Sequence, residues 1–188
     1  MQLHIKNMVC DRCILIVGQQ LKQLGFEIEQ ISLGLVNVEP EPNQQQRIQI
    51  ASAMQVLGFE LIDKEKDKLT EQIKNQVISI IHQSPLNELK QSPAQLVAER
   101  LNKDYAYLSR LFSEIEGTTI EKYIIQQKVE KVKELLEYGE YNLSEIAFQM
   151  GYSSSAHLST QFKSVTGLSP SKYKALPPGK RKPLDQVI

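Results

Sequence analysis

The chain has only two cysteines, Cys10 and Cys13, separated by two residues. Two thiols are too few for a disulfide framework, and this spacing is one that reducing compartments use for metal or redox chemistry. As soft donors they suit Cu(I) or another thiophilic metal ion. A closed tetrahedral zinc site needs about four ligands, and His4, His82 and His157 are not placed to complete one. A helical apolar pattern follows at once, so Cys13 falls near a helix N-terminus, which predicts a lowered thiol pKa. Three uses stay open: metal binding without a requirement for metal in folding, a retained fold used for dimerisation or another signal, and thiol redox chemistry, for which a thioredoxin-like frame is missing.

A second group of residues suits nucleic acid. The segment Leu108 to Tyr123 repeats at a constant offset of fifty in Leu158 to Tyr173, through Leu108/Leu158, Ser109/Ser159, Phe112/Phe162, Gly117/Gly167, Lys122/Lys172 and Tyr123/Tyr173. These are six identities where random matching gives about one. Upstream the match continues with a one-residue slip, Ala98, Leu101 and Asn102 answering Ala147, Met150 and Gly151. Each unit reads as helix, sharp turn, helix. With Leu158 and Phe162 inward, Ser155, His157, Ser159, Thr160 and Lys163 lie outside or at the rim, and Ala106, Tyr107, Ser109, Arg110 and Ser113 hold the equivalent places. Arg110 is the best single candidate for reading a base, because a guanidinium donates two parallel hydrogen bonds to guanine.

The elements that must position these residues fall in two halves. Residues 1–63 alternate strand and helix patterns: Leu3 and Ile5 against His4 and Lys6, a helix over 14–24 stopped by Gly25, a hairpin over 27–39 ended by Pro40 and Pro42, a helix over about 43–57, and a last short strand Phe59 to Ile62. The order βαββαβ predicts a ferredoxin-like α+β domain. A charged run, Lys64 to Lys68, marks a boundary and opens a helical linker or first helix over 64–82. All-α structure with two helix-turn-helix units is expected over 83–176, including one helix over 119–137 with Ile125, Val129, Val132 and Leu136 on a stripe. At ~1.5 Å per residue that helix is about 28 Å long, comparable to one duplex turn, so one chain can place two recognition helices in successive major grooves. The tail 177–188 lacks periodicity and is expected to be mobile.

Among its 188 residues, 22 Lys+Arg balance 22 Asp+Glu, which argues against a uniformly basic coat. The distribution is uneven: residues 1–63 carry 4 basic and 7 acidic residues, the remainder 18 and 15. From Ile146 to Leu184 there are six basic residues, Lys163, Lys172, Lys174, Lys180, Arg181 and Lys182, and no acidic one, a footprint suited to phosphates. The longest apolar run, Cys13 to Val17, is far short of the ~18 residues a bilayer span needs, and the first residues lack the pattern of a secretory signal, so no membrane partner and a cytoplasmic address are expected. No Gly-rich phosphate loop, zinc-protease helix motif or nucleophile elbow supports an enzyme. His82, near a helix end, reads as a cap or surface residue.

The run 142–153, NLSEIAFQMGYS, with Leu158, Phe162, Lys163, Gly167, Ser169, Pro170 and Tyr173, resembles the signature of AraC/XylS-type bacterial transcription regulators, over about 70–175. The resemblance implies a seven-helix domain that binds double-stranded promoter DNA, with Ala106, Ser109, Arg110, Ser155, Ala156, His157 and Thr160 facing bases. Lys128 stands where that family usually has Arg, and Val132 where it has Ala. Residues 1–63 resemble the heavy-metal-associated domain of copper chaperones and metal-pumping ATPases. That resemblance implies Cys10 and Cys13 as ligands, Met8 in the core beneath their loop and Phe59 near it; Asn7 replaces the usual glycine. The combined expectation is a DNA-binding regulator responsive to a thiophilic metal, with homodimerisation through the N-terminal domain as a further expectation. The alternative is a metallochaperone or metal-binding adaptor whose helical half docks a protein partner.

Overall fold

The computed structural model describes residues 1–177, 179 and 181–187. The chain forms two compact units, Met1–Asn75 and Gln76–Ile188. The first runs β1 (Gln2–Lys6), α1 (Asp11–Gln23), β2 (Glu27–Ser32), β3 (Leu35–Glu39), α2 (Gln44–Val56) and β4 (Glu60–Ile62), followed by α3 (Glu65–Gln83), which continues into the second unit. Its sheet has the order β2-β3-β1-β4, with every adjacent pair antiparallel. Leu3, Ile5, Val36 and Val38 face a core closed by Val17 and Leu21 of α1 and Ile50 and Met54 of α2. The period-2 and helical apolar positions therefore meet as the sequence predicts. Helix α1 starts three residues before its apolar pattern, because Cys10 is its extended N-cap residue and Asp11 lies in its first turn.

The first half of α3 belongs to this unit. His4, on the opposite side of β1 from Leu3 and Ile5, lies in the fields of Lys68 and Glu65, and burial is the main reason its pKa is lowered. The turn between β2 and β3 uses Gly34 at φ +75°, where an added Cβ would fall 2.3 Å from the Asn75 amide nitrogen. Both backbone and space demand glycine there.

The second unit comprises α4 (Pro93–Arg100), α5 (Tyr105–Glu116), α6 (Ile120–Tyr138), α7 (Leu143–Gln149), α8 (Ser155–Thr166) and α9 (Pro170–Lys174), after a 3-10 turn at Leu86–Glu88. The fifty-residue repeat extends to the caps. Ser92 and Asn142 open α4 and α7 with capping boxes, Asp104 and Ser154 cap α5 and α8, and Gly117 and Gly167 end them in the left-handed conformation. The one-residue slip arises because α4 has 8 residues and α7 has 7. After them, Asn102 and Gly151 occupy equivalent left-handed turns at φ +49° and +65°. The shared aromatics also pair in both units, at different tilts: Phe112 against Tyr123 at 5.6 Å between ring centroids and 42° between planes, and Phe162 against Tyr173 at 5.5 Å and 75°.

Helix α6 departs from the single stripe expected of it. Ile124 is buried and Ile125 only half-buried, while Gln127, Glu130 and Lys133 are also buried, because neighbours cover most of its circumference. Gln127 is fully satisfied: its amide nitrogen donates to Tyr123 Oη (3.0 Å) and the Leu184 carbonyl (3.1 Å), and its carbonyl pairs with His82 Nε2 (2.9 Å). His82 is thus a partner of a core glutamine rather than a cap or surface residue, and burial lowers its pKa.

The tail also differs from expectation. Arg181 donates to Glu134 (2.7 Å), the Lys182 amide donates to Glu130 (3.2 Å), Leu184–Gln186 is a 3-10 turn and Val187 is buried. The largely buried carboxylates of α6 need donors, and the tail supplies them. Pro178, Lys180 and Ile188, included in the mobile segment and the basic cluster expected from sequence, lie outside the described residues. No helix among the described residues is long and apolar enough to cross a membrane.

Candidate nucleic-acid interface and thiol site

Helices α5 and α8 sit in the same scaffold and present the same positions. Leu108, Phe112, Leu158 and Phe162 are buried, while Ala106, Tyr107 and Arg110 of α5 and Ala156, His157, Thr160 and Lys163 of α8 are exposed. Ser109, Ser113, Ser155 and Ser159 are half-buried at the rim. The Ser159 hydroxyl donates to the Ser155 carbonyl (2.8 Å), so it is engaged with its own helix.

His157 has a built support. Its ring stands edge-on to Tyr152 at 5.4 Å between centroids, and its Nδ1 lies 3.1 Å from Ser153 Oγ. Tyr152 in turn donates to Gln161 (2.8 Å) and carries Lys128 Nζ 4.0 Å above its ring. Burial pushes the Lys128 ammonium down to about 8 and the Tyr152 phenol up to about 12. Sequence reasoning marked Lys128 only as a departure from a family pattern and missed Tyr152. Tyr152 stands in the turn five residues before His157, whereas Lys128 reaches it from α6 and leaves no mark in local spacing.

The two faces differ in charge. Glu114 and Glu116 share α5 with Arg110, whereas α8 carries Lys163 and no acidic residue. Arg181, counted from sequence with the second unit's basic footprint, is committed to Glu134.

The thiols stand at the other compact unit's loop. Cys10 accepts the Cys13 amide through its carbonyl (2.9 Å), and the two Sγ atoms are 3.4 Å apart, both half-buried. Met8 and Phe59 are both buried in the core of that unit. The Cys13 thiol pKa is raised, not lowered as its helix position predicts: burial dominates and the Cys10 thiol adds to it, while backbone bonds from Val9 and Cys10 oppose it without prevailing. Two adjacent soft donors fit a thiophilic cation; Met8 is turned into the core. Among the described residues no group of three or more His, Cys, Asp and Glu could hold a metal, so a closed four-ligand zinc site finds no support there. Asn7 stands at φ +71°, a conformation asparagine tolerates better than most residues, and its side chain donates to the Gly58 carbonyl (3.0 Å).

Residues 97–175 match a family model for the helix-turn-helix domain. These residues therefore carry a helix-turn-helix domain. Two curated relatives are the Msm operon regulatory protein of Streptococcus mutans, 32% identical over 111 residues, covering 59% of this chain and 39% of that protein, and the HTH-type transcriptional activator RhaS of Escherichia fergusonii, 25% identical over 160 residues, covering 83% and 54%. The chain thus spans about two fifths to one half of these relatives' length. Among solved structures, the C-terminal domain of AraT, a response regulator from Geobacillus stearothermophilus, is 30% identical with a TM-score of 0.48, covering 56% of this chain and 85% of that one.

Proposed function

We propose that this protein is a sequence-specific, AraC/XylS-type transcription regulator, rather than an enzyme, and that its thiol pair makes it responsive to a thiophilic metal such as Cu(I). The observation that carries the first part is the duplicated scaffold: two helices of 12 residues, capped and buried alike, each offering an exposed face at the same positions. Arg110 reads a base, with Ala106, Tyr107 and Ser109 beside it. His157, Ser155, Ala156 and Thr160 form the second reading face, Ser159 buttresses it, and Lys163 meets phosphate. About 28 Å of α6 between the helices matches about one turn of duplex, so a monomer reads an asymmetric site of about two turns.

The first unit's βαββαβ order and sheet order support a ferredoxin-like fold of the heavy-metal-associated kind, with Cys10 and Cys13 as the ligands. A bound soft cation would join the two sulfurs and stabilise their thiolate forms; the protein's part is to hold the loop that presents them. Promoter-fragment binding, measured against salt with and without Cu(I), tests both parts. The regulator shows saturable, salt-sensitive binding that a Cys10→Ser/Cys13→Ser variant retains while losing its metal response. Absence of saturable binding would favour a metallochaperone or adaptor, and identical Cu(I) uptake by wild type and variant would remove the metal site.

A further inference from the structure

We infer that Glu71 is the positioning residue of the thiol loop and ties the state of Cys10 and Cys13 to helix α3. The inference rests on the reading of that pair as a responsive site. Asn7, three residues before Cys10, holds a left-handed backbone at φ +71°. Outside glycine such a conformation persists where the surroundings fix it. Two bonds do so: its side chain donates to the Gly58 carbonyl (3.0 Å), and its backbone amide donates to Glu71 Oε1 (2.9 Å). The second bond comes from α3 and ends on a carboxylate, the stronger kind of hydrogen bond.

Glu71 itself is only 5% exposed, with Lys74 Nζ 3.9 Å from its other oxygen. Burying a carboxylate is costly unless it is paired, so its partners fix its position closely. One helical turn further, Asn75 lies against the Gly34 turn, whose carbonyl accepts the Ile5 amide (3.0 Å). Residues four apart share a helix face. The same face of α3 therefore grips the start of the thiol loop and the end of the β2–β3 hairpin. Helix α3 then continues without a break to Gln83, past the limit of the first compact unit. Whatever occupies the two sulfurs, 3.4 Å apart when free, displaces residues 8–13, and the displacement reaches α3 through the Asn7 amide and Glu71.

Hydrogen exchange on the full chain tests this, with peptides covering 69–83 followed before and after the thiols are occupied by Cu(I) or, separately, by N-ethylmaleimide. In the wild type, occupation changes α3 exchange by roughly threefold or more. Glu71→Ala abolishes that response while keeping its helical circular dichroism, and Glu71→Gln, which retains an acceptor, restores part of it; if Glu71→Ala does not fold, Glu71→Gln alone must show a reduced response. An undiminished response in the folded variants, or a wild-type α3 indifferent to both reagents, overturns the inference. A wild type that takes up no Cu(I) but keeps the maleimide response removes the metal reading and supports the link through Glu71.

Discussion

The two helix-turn-helix units share a skeleton and differ in what they display. Caps, lengths of α5 and α8, and the Phe–Tyr pairing recur at an offset of fifty, and the turns at forty-nine. On that common frame α5 presents Tyr107 and Arg110 on a helix that also carries Glu114 and Glu116, and α8 presents His157, Thr160 and Lys163 with no acid. Most repeated positions bury surface or close a helix end; Ser109/Ser159 at the rim and the exposed Lys122/Lys172 are the exceptions. Most exposed positions have diverged, and under the proposed function the first unit selects a base while the second also holds the backbone.

The largest effects test the shared part. Truncating either buried ring, Phe112→Ala or Phe162→Ala, costs about 3–5 kcal/mol by urea denaturation, and both losses should fall within that range. A large gap between them would mean that the two contacts are not equivalent supports. Next comes the divergent part. Arg110→Ala costs about 1–3 kcal/mol at one base position and relaxes selectivity there, whereas Lys163→Ala weakens all duplexes alike and reduces the salt slope by about 1. Fluorescence anisotropy with matched and mismatched duplexes separates them, and interchange of the two behaviours would reverse the assignment. The caps come third: Ser92→Ala and Asn142→Ala each lose about 1 kcal/mol, detectable as lowered thermal midpoints.

A further effect is a pH dependence carried by Lys128, on the helix between the two helix-turn-helix units. Burial lowers the Lys128 ammonium to about 8. Its unfolded value is higher, so the unfolded chain binds more protons between about 8 and 10 and stability rises with pH across that window. The cost of the buried charge is present in full below about 8. Lys128→Met removes this dependence, so its stability relative to wild type falls as pH is raised from 8 to 10. Parallel thermal melts that keep a constant separation would contradict it.

Much of this was legible in the sequence because apolar period and turn chemistry are local. The βαββαβ order, the repeat, its slip, and the inward Leu158 and Phe162 follow from spacing alone. What escaped depends on groups distant in the chain. The Cys13 pKa follows its burial rather than its helix end; the tail binds carboxylates of α6; His82 pairs with Gln127, forty-five residues away; and the Lys128–Tyr152–His157 stack joins two helices and a turn. Asn7 lies between these cases: its place before Met8 is visible in the sequence, whereas its positive φ and the bond to Gly58 are tertiary.

The claim that two unlike helices on one chain read one duplex is tested most directly by selecting bound duplexes from a random pool and footprinting the consensus with wild type and Arg110→Ala. The account predicts an asymmetric protected site of about two helical turns, in which Arg110→Ala erases preference in one half and leaves the other intact. A palindromic consensus, or loss of preference in both halves together, would contradict it.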